Sequence, residues 1–528
     1  AVQYLFYTQW HDLKAYANAF YGLIPGGVSV LDDTDSDIQV PNNINSFLWG
    51  QYVVPTEGGV WQKSNWQNIR NINYFMTHYQ SVQAAEADVN IYVAEMRFFR
   101  ALEYFNKIQL LGDVPWLEVD LNVDSEELYG PKMKRNQVFQ KIIEDLDFAI
   151  QWLPEAGSEE ANRLNKDIAR HVKARFCLNE GTHYKYHDEL EYASEAEKWL
   201  QMAATESDKL ITSGRYEIYN TGHPQEDYFN MYRIDDKSDL KEAVLYVDYK
   251  TNILEHNMAA AGREAGCGFS KSFVESFLCS DGLPISLSNK YLGDETMRKE
   301  TANRDPRLKQ LILTNDFPTN VTDDLKDSTF VVNEDEFITQ HCFTGYRPIK
   351  GFNPIYSQAL YMKSSFDGIA YRYAETLLIN AEAKAELNTI TNADLDRTVN
   401  QLRDRVGMPH LTVNVGFTDP KWPDWGYSLS PILQEIRRER CIELAGEGFR
   451  FNDLKRWKAG KVLNNVLTYV GKRKPDGNLA IVYPNYTNPD LSYQAGKSRT
   501  WEDKMYLYPI PTGELQRNPQ LLPQNPGW

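Results

Sequence analysis

The sequence predicts a mostly α-helical protein with one large irregular segment. Apolar residues recur at helical spacing in both halves of the chain, whereas the middle region, residues 215–370, is rich in Gly, Asp, Asn, Pro and aromatic residues. The overall composition, 42% hydrophobic and 24% charged, is that of a globular protein. We therefore expect one body over residues 1–528, made of an N-terminal helical part (1–214), the irregular part, and a C-terminal helical part with an extended tail (371–528).

Four helices are predicted in the N-terminal part, where apolar residues repeat every three to four positions. Gly112, Pro154 and Gly214 follow three of these helices and are residue types that end helices. The four helices are interpreted as two helical hairpins. Their predicted ranges are Tyr92–Leu111, Gln137–Leu153, Lys166–Tyr184 and Ser194–Thr212.

The C-terminal part repeats this arrangement. Gly407 stops the second of its helices, and Pro431 stands at the first turn of the third, where proline is favoured. Paired helices of this kind resemble tetratricopeptide-type repeats, so we expect four diverged hairpins in the whole chain. The predicted ranges are Tyr371–Leu387, Ala393–Val406, Pro431–Leu444 and Phe451–Lys458.

The middle region offers only short strand-like pieces, Ala243–Tyr249 and Thr329–Val332. Long irregular segments on a rigid helical scaffold usually carry function. We therefore predict that ligand contacts come mainly from this region and from the irregular segment that precedes the helix expected near Asn68.

Charge and motifs exclude several classes of function. The chain has 73 acidic and 56 basic residues, a formal net charge of −17, which argues against nucleic-acid binding and against attraction to anionic lipid. The GxSxG, P-loop, HExxH and GxGxxG signatures do not occur. Four common catalytic or cofactor signatures are therefore absent.

Metal binding has little support in the sequence. His183 and His187 are spaced like two zinc ligands, but a third ligand is missing, and we interpret them as partly exposed residues of an amphipathic helix. The acidic run at residues 32–37 suggests calcium, yet an EF-hand counted from Asp33 would need glycine where Ile38 stands. No cofactor is predicted, and a looser structural calcium site in this run stays open.

Cysteines are few and match no metal motif or dense disulfide framework. Cys267 and Cys279 are the pair that could form a bridge, but we favour free buried thiols. The five are Cys177, Cys267, Cys279, Cys342 and Cys441.

Six blocks of sequence, in the same order, resemble motifs of the SusD/RagB family. They include AEMRFFRA, NRDPRL, RYAETLLINAEA, LRDRVG, IRRER followed by EGFRF and DLKRW, and the terminal YPIP with QNPGW. Together they extend over residues 94–528. Their charged residues are expected to hold helices together, with Glu439 paired to its neighbours Arg437, Arg438 and Arg440, and Asp453 beside Arg456.

The resemblance implies a SusD-like fold and a non-catalytic role. Members of this family bind oligosaccharides or polysaccharides at the outer surface of the outer membrane and pass them to a SusC-like TonB-dependent transporter. The resemblance also implies a lipid anchor on an N-terminal cysteine that the printed sequence does not include, and we expect the chain that begins at Ala1 to be a trimmed mature form.

The residues that bind a glycan are predicted from chemistry, because sugars need aromatic faces for stacking and polar side chains for hydroxyl groups. Trp422 and Trp425 could contact the transporter or hold their own loop, and we favour the loop. The candidate binding residues are Asp32, Asp35, Trp49, Trp61, Asn65, Trp66, Cys279, Asp281, Tyr291, Tyr346 and Arg347.

Two alternatives remain open at this stage. Some relatives of the family capture peptides. Only the aromatic content of 13% argues against a peptide ligand here. A glycosidase needs only two carboxylates about 5 to 10 Å apart, and any acidic chain can offer such a pair.

Overall fold

The computed structural model of the protein describes residues 9–42, 45–481 and 499–528. Helices make up 45% of it and strands 8%, which confirms the mostly α-helical prediction. No helix in the described residues is long and apolar enough to cross a membrane.

The helices and strands are numbered in chain order. The helices are α1 Trp10–Asn18, α2 Gln67–His78, α3 Glu86–Leu111, α4 Arg135–Trp152, α5 Lys166–Tyr186, α6 Ala196–Ser213, α7 Asp227–Tyr232, α8 Met258–Arg263, α9 Lys271–Ser276, α10 Met297–Thr301, α11 Arg307–Leu311, α12 Tyr373–Glu386, α13 Asn392–Asp396, α14 Val399–Val406, α15 Pro431–Glu443, α16 Arg450–Arg456 and α17 Thr512–Arg517. The strands are β1 Gln39–Pro41, β2 Ala243–Val247, β3 Cys267–Phe269, β4 Asn320–Val321, β5 Ser328–Thr329, β6 Gly368–Arg372, β7 Val470–Arg473 and β8 Leu479–Ile481.

The chain forms two compact units. Unit 1 consists of Ala1–Pro25, Tyr52–Phe176 and Glu502–Trp528, and unit 2 consists of Gly26–Gln51 and Cys177–Trp501. The sequence-based division at residues 214 and 370 into three parts stays a prediction.

Unit 1 is built on the predicted first hairpin. The long helix α3 packs against α4, and the buried Arg100 donates to both carboxylate oxygens of Asp145 at 2.7 Å. Helix α3 ends where expected, because Gly112 adopts φ 74°, and a side chain there would clash with Leu507 at 2.9 Å.

Unit 2 contains the second half of α5, helices α6 to α16 and the short elements of the irregular region. Helix α12 packs against α6 and α15, while β2 pairs antiparallel with β6, and β1 with β3. Every described helix and strand within residues 215–370 is short, at most six residues long. A buried cluster of apolar side chains forms the centre of this unit and includes Tyr228, Phe273, Phe277, Leu308 and Ile349.

Buried ion pairs join helices of unit 2 that are distant in sequence. Glu443 of α15 accepts hydrogen bonds from Arg307, Arg372 and Arg405. Burial raises the pKa of Glu443, but the attraction of these guanidinium groups outweighs it and holds the pKa well below its usual range.

The predicted partners of Glu439 were wrong. Glu439 pairs with Arg307 and Arg403 rather than with the arginines beside it, since neighbours along a helix point to different sides. Asp453 does bind Arg456, and it also binds Arg440 of α15, which links α16 to α15 as expected.

Several predicted boundaries differ from the structure. The helix predicted over Ala393–Val406 is two helices, because Thr398 (φ −129°, ψ −97°) leaves the helical conformation between α13 and α14. The strand predicted at Thr329–Val332 is reduced to β5. The extended C-terminal tail contains α17, and Tyr371 belongs to β6 rather than to the following helix.

Candidate functional site

A cavity of about 610 Å³ lies in unit 2 and opens to solvent. Its walls come from α9, from the loop of residues 419–426, from α15 and from residues 461–468. Its volume falls in the range of roughly 300 to 1,000 Å³ that is typical of small-molecule sites. We call it the Trp422 cavity.

Two tryptophans of the 419–426 loop line this cavity in fixed orientations. Trp422 is half-buried and donates its indole N–H to Glu435 Oε1 at 2.7 Å. Trp425 is buried, donates to Gln434 Oε1 at 2.6 Å and packs edge-on against Trp457. Since both acceptors stand on α15, that helix holds the two rings in place.

The loop itself is ordered by Asp419 and two prolines. Asp419 Oδ1 accepts the backbone N–H of Lys421 at 2.9 Å, which forms a turn, and Pro420 and Pro423 restrict the backbone on either side of Trp422. The other oxygen of Asp419 accepts from Arg438 at 2.6 Å. The loop is thus tied to α15 by an ion pair as well as by the indole groups.

Arg437 lines the cavity and lies against the rings of Trp425 and Trp457. Its guanidinium is 4.2 Å from the ring centre of Trp457 and 5.0 Å from that of Trp425, and it pairs with Glu386 at 3.2 Å. Cation–π contacts of this kind stabilise both the charge and the orientation of the rings. Burial raises the pKa of the neighbouring Glu435, although Arg438 and the Trp422 N–H partly oppose it.

Two exposed asparagines also line the cavity. Asn464 Oδ1 accepts the backbone N–H of Trp501 at 2.7 Å, and Asn465 Oδ1 accepts that of Leu467 at 3.0 Å. In the described part of the chain, neither side-chain amide donates a hydrogen bond to a protein acceptor. The cavity therefore combines the half-buried ring of Trp422 with two side-chain NH₂ groups that are available to donate hydrogen bonds to a ligand.

Three of the predicted binding residues meet in unit 1. The rings of Trp61 and Trp66 are 5.1 Å apart at 57°, and Asn65 lies between them in sequence with its amide bound to the carbonyl of Val60 at 3.1 Å. All three are half-buried. The indole nitrogen of Trp66 is buried and has no hydrogen-bond partner among the described residues, and the ammonium of Lys107 lies over the ring at 5.6 Å.

The eight other predicted residues lie in unit 2, and none of them lines the Trp422 cavity. Trp49 is buried edge-on against Tyr469, Asp32 is exposed, and Asp35 accepts from Asn45 at 2.5 Å. Tyr291 is half-buried beneath Arg304.

Two predicted residues are fully buried. Tyr346 is 0% exposed and donates to Glu300 at 2.8 Å, and Cys279 is also 0% exposed. Their neighbours are more accessible: Arg347 lies over Phe352, and Asp281 accepts from Ser288 at 2.7 Å. Buried side chains such as Tyr346 present no free face for a sugar ring.

The acidic run and the histidine pair serve the protein's own structure. Asp33 accepts the backbone N–H groups of Gly446 and Arg450, and Asp37 binds the Arg450 guanidinium. His183 and His187 are buried, not partly exposed as predicted, because α5 packs inside unit 2 at this end. Within the described residues, no group of three or more His, Cys, Asp or Glu side chains is arranged to hold a metal ion.

All five cysteines carry free thiols, as predicted, and burial raises the pKa of Cys267 above its usual range.

Sequence reasoning identified the 419–426 loop but not the cavity. Trp422 and Trp425 do hold their loop, as favoured, and they also line the cavity. The string PKWPDW, which places two tryptophans within a short segment that contains two prolines, was the available indication. No sequence pattern indicated Asn464 and Asn465, because they come to the cavity only through tertiary packing.

Comparison with known proteins places the chain in a family. The model of the SusD family matches residues 211–528. A curated relative, SusD-like protein P2 of Formosa agariphila, is 24% identical over 456 residues, which cover 84% of this chain and 75% of the relative.

Two solved structures from Bacteroides fragilis share the fold. A SusD-like protein has a TM-score of 0.75 at 23% identity, covering 100% of this chain and 99% of that one. A SusD-like carbohydrate binding protein has a TM-score of 0.73 at 20% identity, covering 97% and 99%. The fold is thus SusD-like, as the sequence motifs predicted, and the chain belongs to the SusD family.

Proposed function

We propose that this protein is a non-catalytic glycan-binding protein that captures an oligosaccharide or polysaccharide at the cell surface. The observation that carries this proposal is the Trp422 cavity. The half-buried indole ring of Trp422, fixed by its hydrogen bond to Glu435, shares the lining with side-chain amides whose NH₂ groups have no protein acceptor among the described residues. Flat apolar faces combined with such donors suit the two sides of a sugar, its C–H face and its hydroxyl groups.

The family supports the same ligand class. The Bacteroides fragilis relative that shares the fold is described as a carbohydrate binding protein. A stacked and hydrogen-bonded sugar on an open site binds with about −4 to −8 kcal/mol, so we expect micromolar to millimolar affinity.

A separate glycan contact is proposed in unit 1, at Trp61, Asn65 and Trp66. The paired half-buried rings of Trp61 and Trp66 supply stacking surface there. The accessible candidates of unit 2, such as Asp32 and Tyr291, remain further proposed contacts.

Absence of catalysis is part of the proposal. A glycosidase needs an acid whose pKa is raised and a second carboxylate free to act as base or nucleophile. Of the four carboxylates in the lining of the Trp422 cavity, Asp37, Asp419 and Glu275 are each held in an ion pair, and Asp424 alone has no such partner among the described residues. This arrangement supports binding over hydrolysis.

Location and partner follow from the family as proposals. We propose that the protein is held at the outer membrane by an N-terminal lipid and delivers its glycan to a SusC-like TonB-dependent transporter. The described residues contain no membrane-crossing helix.

Affinity electrophoresis against starch, levan, xylan, mannan, pectins and mucin glycans tests the proposal, with reducing-sugar release measured in parallel. Retardation by at least one glycan without release supports capture. Release of reducing sugar would replace the proposal by the glycosidase alternative. Retardation by none, together with binding of a peptide mixture in calorimetry, would replace it by peptide capture.

A further inference from the structure

We infer that the Trp422 cavity accepts an uncharged sugar unit and discriminates against sugars that carry carboxylate or sulfate groups. The inference rests on the proposed function and adds the class of ligand to it. It follows from how the charged and the neutral polar groups of the cavity are engaged.

Two arginines of the cavity are neutralised by close carboxylates. Arg450 donates through Nε and Nη2 to the two oxygens of Asp37 at 2.7 and 2.8 Å. Arg438 donates to Asp419 at 2.6 Å. Because these pairs are buried, with side chains at most 8% exposed, separating them for an incoming anion would leave a carboxylate uncompensated.

Two further cations also have an anionic partner, one in a partly exposed pair and one in a buried pair. Lys421 Nζ lies 2.8 Å from Glu275, and Arg437 pairs with Glu386 at 3.2 Å. Four of the five cations that line the cavity therefore already have an anionic partner.

The two remaining charged residues of the lining have opposite signs. Lys461 and Asp424 are both exposed, and in the described part of the chain neither has an ion-pair partner. One exposed cation and one exposed anion add no net charge to the lining, and water screens both.

The neutral donors of the cavity are the groups left to recognise a ligand. Three side-chain amides of the lining accept an intramolecular hydrogen bond through their oxygen: Gln434 from Trp425, Asn464 from Trp501 and Asn465 from Leu467. Their oxygen contacts fix the orientation of the amides, and among the described residues none of the three NH₂ groups donates to the protein. Three oriented neutral donors suit hydroxyl and ring oxygens.

A carboxylate in this cavity would lose water and meet only one cation without an anionic partner among the described residues, the exposed Lys461, whose attraction water screens. Burial of an unpaired anion is far more costly than burial of a hydroxyl that accepts a hydrogen bond. Discrimination therefore arises from desolvation, not from shape.

The test compares each neutral glucan, mannan or galactan that retards the protein with the same polymer after its primary hydroxyl groups have been oxidised to carboxylates. Affinity electrophoresis is run at about 0.5 M NaCl, where the Debye length is roughly 4 Å, so that the net charge of −17 does not itself repel the oxidised polymer. We expect the oxidised polymer to bind at least tenfold more weakly.

A matched pair of variants assigns the effect to the cavity. Asn465→Asp keeps the oxygen that accepts from Leu467 but removes the NH₂ donor, and we expect about tenfold weaker binding of the neutral polymer. Asn220 forms the same kind of turn, accepting the N–H of Gly222 at 3.0 Å, on an exposed loop that does not line the cavity. Asn220→Asp should bind like the wild type.

The outcomes separate the two proposals. Equal or tighter binding of the oxidised polymer, or unchanged binding by Asn465→Asp, overturns the inference while glycan capture stands. No retardation by any polymer, neutral or oxidised, overturns the proposed function and the inference together.

Discussion

Asp37 and Arg450 form a buried bidentate ion pair in unit 2, with N–O distances of 2.7 and 2.8 Å. Asp37 ends the acidic run that suggested calcium, and Arg450 belongs to the EGFRF motif. The pair ties the loop before β1 to the start of α16. The carboxylate that looked like a metal ligand therefore has a structural partner of opposite charge.

We expect Asp37→Asn to lower the free energy of unfolding by about 3 kcal/mol, because removal of one member of a buried pair leaves the other charge uncompensated. Urea unfolding followed by circular dichroism measures the change. Asp32→Asn is the control from the same run: Asp32 is exposed, so its substitution should change stability by less than about 0.5 kcal/mol. Equal effects of the two substitutions would contradict this role for Asp37.

Trp422→Ala is expected to weaken glycan binding by about 30-fold, the effect of losing an aromatic contact worth about 2 kcal/mol. Trp422→Phe keeps a ring face and should lose only a few-fold. Glu435 retains its pair with Arg438 at 3.1 Å in both variants, so near-ultraviolet circular dichroism should show a folded protein. Trp10→Ala, a tryptophan of unit 1 that is 36% exposed, should bind normally in the same titration.

Trp61→Ala and Trp66→Ala test the proposed contact in unit 1. Each substitution removes one of two paired rings, and we expect loss of retardation by the glycan with an unchanged circular dichroism spectrum. Unaltered affinity in both variants would remove this surface from the proposed binding site.

His256 should make the stability of unit 2 depend on pH. Burial lowers the pKa of His256 from 6.5 to about 4, although its contact with the Phe366 carbonyl opposes this. Both nitrogens of the neutral ring are hydrogen-bonded: Nε2 donates to that carbonyl at 3.0 Å, and Nδ1 accepts the N–H of Met258 at 3.2 Å. Between pH 6.5 and 4 the unfolded chain binds a proton here that the folded protein does not.

The stability contributed by His256 is therefore complete above pH 6.5 and is lost as pH falls towards 4. It is measured as the difference in unfolding free energy between the wild type and His256→Gln, which has no titrating ring. We expect this difference to shrink as the pH is lowered through that window. A difference that is constant from pH 7 to pH 4 would show that the ring titrates equally in the folded and unfolded chain.

Local sequence was sufficient for the helices whose ends are set by neighbouring residues. Helix α3 stops at Gly112 and α15 starts at Pro431, as predicted, because glycine tolerates a positive φ and proline suits a first turn. Where the deciding interaction was not local, prediction failed: Thr398 interrupts a continuous helical pattern, and Glu439 binds Arg307, 132 residues away.

The sequence by itself determined the family, the mostly helical class and the positions of the main helices. The order of the motifs and the hydrophobic periodicity are properties of the linear sequence and do not depend on tertiary contacts. Only the tertiary structure decided which residues form a cavity. Trp422, Gln434 and Asn465 come from separate segments and meet through packing, and whether an aspartate such as Asp37 is a ligand or one half of an ion pair depends on which cation the fold brings beside it.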